Sequence, residues 1–231
     1  MKMSVAKKYP QAGFTLVELM IALAMSGILV AAVYAAYNLQ QKTYYVQEEV
    51  GEMQQNIRAA IEIMSGDIRM AAYDPNGDAN ADIPVATNST LQVRMDLNDD
   101  GDFADTNEDV TFNISDDTGN VGLSDSGGKD GALARNGQAI AEHIQGIDFY
   151  YILEDGTRVA APSATQRDQI QAVEISILAV SGQRDPKYQD NTTYTIRTGT
   201  DAKKWGPMVG DERNYRRRFL KSTVYIRNRG L

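Results

Sequence analysis

From residue 14 to residue 36 the chain is almost wholly apolar, and Glu18 is its one charged position. Those 23 residues, at about 1.5 Å each in a helix, reach roughly 35 Å, enough to cross a hydrocarbon core of about 30 Å. From Asn38 the pattern turns amphipathic. Leu39, Val46, Val50, Met53, Ile57, Ile61, Met64 and Ile68 recur mostly three and four apart, with Gln, Glu and Arg between them. The spacing predicts one helix from about Phe14 to about Ala72. Gly51 and Gly66 are tolerable inside it at about 1 kcal/mol each, and Asp74-Pro75-Asn76-Gly77 stops it. The stripe is short for a coiled-coil seam, so a sheet is expected to cover it.

Beyond Asn80 the periodicity becomes strand-like. Strands are predicted over 90–97, 109–114, 132–140, 144–153, 170–180 and 219–227, from β-branched and aromatic content with partial alternation. Asp155-Gly156 marks a hairpin turn between Tyr150-Tyr151-Ile152-Leu153 and Thr157-Arg158-Val159. A long helix followed by antiparallel strands is an α+β arrangement. The expected organisation is a leader over 1–13, a transmembrane half-helix over 14–36, an amphipathic half-helix over 37–73 and a β-rich head over 74–231.

Charge sharpens the picture. The formal net charge of −8 argues against a general nucleic-acid binder, yet the charges are segregated. Residues 74–131 hold fourteen acids against Arg94 and Lys129, and residues 203–229 hold nine Lys or Arg against Asp211 and Glu212. Cys is absent, which removes disulfides, thiolate metal sites and a cysteine nucleophile. The single His143 leaves no His-rich metal site and no Ser-His-Asp arrangement, and reads as a surface residue. Nothing marks two carboxylates as an acid and base pair, and no enzyme is expected.

An apolar run of this length, continued by an unbroken helical pattern, is not a secretory signal peptide. Lys2, Lys7 and Lys8 precede it, so the positive-inside rule puts the leader in the cytoplasm and the head outside. An intramembrane acid such as Glu18 usually has a partner or a task. Gly13, Phe14, Thr15 and Glu18, followed by Leu19-Met20-Ile21-Ala22-Leu23, closely resemble the type III signal of type IV prepilins. The resemblance implies cleavage between Gly13 and Phe14 by a prepilin peptidase and N-methylation of Phe14. It also implies that Glu18 pairs with the Phe14 ammonium of a neighbouring subunit. Charge chemistry agrees, because cleavage creates a cation one helical turn from a carboxylate. Major pilins usually carry a proline where Ala35 stands, and that departure favours a minor subunit.

Three stretches of the head, 133–150, 170–180 and 215–224, resemble PilW-like minor pilins and the related J-type pseudopilins of type II secretion. This resemblance implies a type IV pilin-like fold and a minor pilin in pilus assembly or priming. The implied partners are prepilin peptidase, other minor and major pilins and the inner membrane, with a final place in a filament. The alternatives are a J-type pseudopilin and, in another class, a calcium-binding adhesin or DNA-uptake receptor.

Two further stretches carry candidate chemistry. Asp96, Asn98, Asp100 and Asp102 place hard oxygens at alternate positions around Gly101, as in the first half of an EF-hand loop. The match then fails, since Asn107 takes the twelfth position and Glu108 comes one residue late. The readings are a calcium-binding loop that uses Glu108, or a solvated acidic hairpin. Arg213-Asn214-Tyr215-Arg216-Arg217-Arg218 interleaves an aromatic with arginines and is a candidate surface for nucleic acid, phospholipid, acidic partner subunits or the chain's own acidic loop. A solvated face is expected instead of a nucleic-acid site. Ser126-Gly127-Gly128-Lys129 lacks phosphate-loop spacing and reads as loop.

Overall fold

A computed structural model describes residues 13–115, 131–199 and 201–228. The leader lysines and Ser126–Lys129 lie outside the described residues. The chain divides into two compact units, Met1–Glu48 and Glu49–Leu231.

Helix α1 runs from Leu16 to Met70. Thr15 starts it, and no proline interrupts it before Pro75. It stops because Ala72 turns left-handed (φ 58°) and gives its N–H to the Arg94 carbonyl at 2.9 Å. The Asp74 carboxylate then takes the N–H groups of Gly77 and Ala81 at 2.8 and 3.3 Å, which closes the turn. In the first unit no described residue is buried. An uncovered apolar surface of this extent requires a lipid or protein environment.

In the second unit, Met53, Ile57, Ala60, Met64 and Ile68 form the buried face of α1. Leu39, expected on that stripe, is 70% exposed; the packed face begins near Val50. Strands β1 (Val85–Ala86), β2 (Leu91–Arg94), β3 (Asp109–Ser115), β4 (Ala132–Arg135) and β5 (Gln138–Ala141) make a five-stranded antiparallel meander. The expected strand over 132–140 is therefore a hairpin. Asn136 and Gly137 both have positive φ, 51° and 78°, as a two-residue type I′ turn demands.

A second antiparallel sheet has the order β11-β8-β6-β7, with β6 Ile144–Leu153, β7 Arg158–Val159, β8 Ile170–Val180 and β11 Arg217–Tyr225. The Asp155-Gly156 turn joins β6 to β7 as expected. Alternation along β8 directs Val173, Ile175, Ile177 and Ala179 into the core shared with α1 and the meander. Leu178 faces the other way. There it meets Ile196 and Trp205 from a two-stranded ribbon, β9 (Tyr194–Arg197) and β10 (Lys203–Trp205), that the sequence did not suggest. A four-residue helix, α2 (Ala164–Arg167), precedes β8. The fold is α+β, a long N-terminal helix whose later turns pack on antiparallel sheets.

Candidate functional site

At the start of α1, the Glu18 carboxylate folds back over Thr15. Oε2 accepts the Thr15 backbone N–H and hydroxyl, both at 2.9 Å, and the Thr15 hydroxyl in turn accepts the Glu18 N–H at 3.3 Å. This is a capping box, with Thr15 at the cap and Glu18 at the third helical position. Phe14 is 91% exposed beside it. A side chain added at Gly13 would meet nothing within 4 Å, so this fold does not itself require glycine there.

The acidic segment is the loop of the β2–β3 hairpin. Asp96 is fully buried, and its two oxygens accept the N–H groups of Asp99 and Gly101 at 2.6 and 3.0 Å. Its carboxylate groups with those of Asp74 and Asp78, which lie outside the EF-hand-like spacing. Asp100, Asp102 and Glu108 form a separate group, with one carboxylate oxygen of each within 4.8 Å of the others. Asn98 ties two turns of the loop together: its Nδ2 donates to Asp100 Oδ2 at 2.9 Å and to Asp105 Oδ2 at 2.6 Å. Glu108 Oε1 accepts the Leu97 N–H at 3.0 Å.

The model of the type IV pilus-assembly protein W family matches residues 111–228, just over half of the chain. That of the prokaryotic N-terminal methylation motif matches residues 8–34. The chain belongs to the type IV pilus-assembly protein W family. No curated protein matches it. A solved type IV-like pilin from Thermus thermophilus aligns with 76% of this chain and 97% of its own at 10% identity, with a TM-score of only 0.42.

A W-family pilin is a non-catalytic structural protein. Its methylation motif carries processing by a peptidase, its assembly role carries other pilins as partners, and its location is the membrane and the pilus. The apolar helix of the first unit is long enough to cross a membrane.

In this pilin the basic run near residue 215 is largely turned inward. The Arg217 side chain is fully buried. Its guanidinium meets Asp190 Oδ2 at 3.4 Å, Glu212 Oε2 at 3.3 Å and Gln145 Oε1 at 2.6 Å. Arg216 donates to Asp185 at 2.9 Å and lies 4.3 Å from the Tyr188 ring centroid; its bond holds the Asp185 carboxyl below the usual carboxylate range. Arg213 donates to the Met208 carbonyl, while Arg218 is exposed. The acids engaged, Asp185, Asp190 and Glu212, lie in the 185–212 segment, not in the 96–108 loop.

Behind β6, Arg197 Nη2 and Lys203 Nζ reach Asp148 Oδ1 at 3.1 and 3.2 Å. Burial pushes the Asp148 carboxyl up, and Lys203 and Arg197 pull it back. The order of charges along the chain shows no sign of these pairings, whose partners lie 49 and 55 residues apart. His143 is half-buried and left-handed (φ 57°), in the turn from β5 to β6, and lines a cleft with Glu49, Glu52 and Gln183.

Proposed function

We propose that this W-family chain is a minor pilin that works by assembly. Prepilin peptidase cuts between Gly13 and Phe14 and methylates Phe14. Before the cut the chain sits in the inner membrane by one span, with leader in the cytoplasm and head in the periplasm; once processed, it joins other minor and major pilins. Residues 1–13 act as leader, 14–36 as the membrane and assembly segment, 37–73 as the amphipathic half-helix and 74–231 as the head.

The carrying observation is Glu18, the one charged residue between Phe14 and Gln41, with no described hydrogen bond to Oε1. Cleavage creates an ammonium at Phe14. In lipid an acid without a partner is costly, so pairing with a neighbouring subunit's ammonium favours the assembled register. The uncovered apolar helix and the missing helix-kinking proline at Ala35 support the same reading. A charge-assisted bond is worth about 1.5–3 kcal/mol, roughly ten- to a hundredfold in an equilibrium. Glu18→Ala is therefore expected to leave membrane levels and cleavage intact and to deplete the protein from sheared pili by about tenfold or more. Normal incorporation of that variant would overturn the reading.

A further inference from the structure

Glu108 is 1% exposed, and its Oε2 has no hydrogen-bond partner among the described residues. A buried carboxylate oxygen without a donor is costly and calls for an explanation. The nearby cations do not supply one. Arg94 is committed to Asp109 at 3.0 Å and Asp82 at 3.9 Å, and Arg135 to Asp67 at 2.7 Å and to the Asn107 side-chain oxygen at 2.8 Å. From Asp96 to Asp109 the chain carries seven carboxylates and no Lys or Arg.

We propose that Asp100, Asp102 and Glu108 bind one calcium ion that closes the β2–β3 loop. Glu108 is the inner ligand. Its orientation is fixed from two sides, by the Leu97 N–H on Oε1 and by its own carbonyl, which accepts the Met95 N–H at 2.9 Å. Asp100 and Asp102 are exposed, so water completes the shell from outside. Calcium takes six to eight oxygens at about 2.3–2.6 Å, so oxygens across one ion stand up to about 5 Å apart. The observed grouping within 4.8 Å fits that span. Magnesium prefers a tighter octahedron with retained water, and typically one or two carboxylates. The ligand set differs from the one the motif suggests: Asp96 stays outside it because its carboxylate groups with those of Asp74 and Asp78, and it shapes the loop through the Asp99 and Gly101 N–H groups. This inference does not rest on the assembly reading.

The test is thermal unfolding and calorimetry of the full chain in detergent, with calcium or magnesium chloride raised to about 10 mM, above the ~10⁻⁴–10⁻³ M range of extracellular calcium modules. Calcium is expected to bind with measurable heat and raise Tm saturably. Asp102→Ala, at an exposed position, is expected to keep the calcium-free Tm and weaken binding about tenfold or more. Glu108→Gln is expected to abolish it. No heat and no Tm shift with the natural chain would overturn the proposal. So would an equal response in Asp102→Ala, or an equal response to magnesium.

Discussion

The Thr15 N–H and the Glu18 carboxylate lie 2.9 Å apart, within a single chain. Glu18 therefore has an intramolecular task before any assembly, the start of a helix of 55 residues. Its proposed second task, pairing with a neighbour's Phe14 ammonium, uses the same carboxylate. The two are separable by chemistry, because a glutamine at the third helical position can also complete a capping box but carries no charge.

Glu18→Gln is thus expected to keep the helix start and the membrane level of the protein. It is expected to lose pilus incorporation to the same degree as Glu18→Ala. Quantitative blotting of membrane and sheared-pilus fractions checks this; incorporation at the natural level would assign Glu18 to capping alone.

Arg217 and Asp190 are both fully buried at their side chains. Leaving one charge without the other typically costs about 3–5 kcal/mol. At about 2–4 °C per kcal/mol for a protein this size, Arg217→Met should lower Tm by roughly 10 °C, and Asp190→Asn by less, because Glu212 still faces Arg217, as read by circular dichroism in detergent. The double variant Arg217→Met with Asp190→Leu should recover part of the loss, since the two changes are not independent.

Burial holds the Glu49 carboxyl above its ordinary range; the Gln183 N–H opposes this and Glu52 adds to it, with His143 and Arg216 pulling down. The native state then binds more protons than the unfolded chain between the ordinary value of 4.5 and the raised one. The contribution is present below that window and is lost as pH rises through the folded value. Glu49→Gln should therefore melt above the natural chain at neutral pH and converge on it in acid. A difference independent of pH in melts from acid to neutral would rule out this role for Glu49.

Gly137 sits at φ 78° in the β4–β5 turn, beside Asn136 at φ 51°. A β-branched residue there is strained in the left-handed region, so Gly137→Val should cost about 1–2 kcal/mol, measured as a lowered denaturant midpoint with unchanged slope.

That turn also illustrates what the sequence carried. Asn136-Gly137 is the strongest short hairpin signal, but the apolar content of 132–140 read as one strand across it. The Asp155-Gly156 turn was legible because polar residues interrupt the pattern on both sides. The helix, its end and the two long central strands could be read from periodicity, which burial enforces over many residues. β9 and β10 could not, being only four and three residues, Tyr-Thr-Ile-Arg and Lys-Lys-Trp, too short to show a period. Charge pairing was the least readable. Nothing near Arg217 announces that its partner is Asp190, and nothing near Asp96 announces Asp74 and Asp78, because those neighbours are made only when the strands and turns close.

If this W-family chain enters a filament as a processed subunit, its N-terminal peptide carries the record. Mass spectrometry of that peptide, recovered from membranes and from sheared pili, reads it. The expected peptide begins at Phe14 with one methyl group on its amine, in both fractions. A terminus at Met1, or at any residue other than Phe14, in the filament fraction would refute processing at Gly13-Phe14.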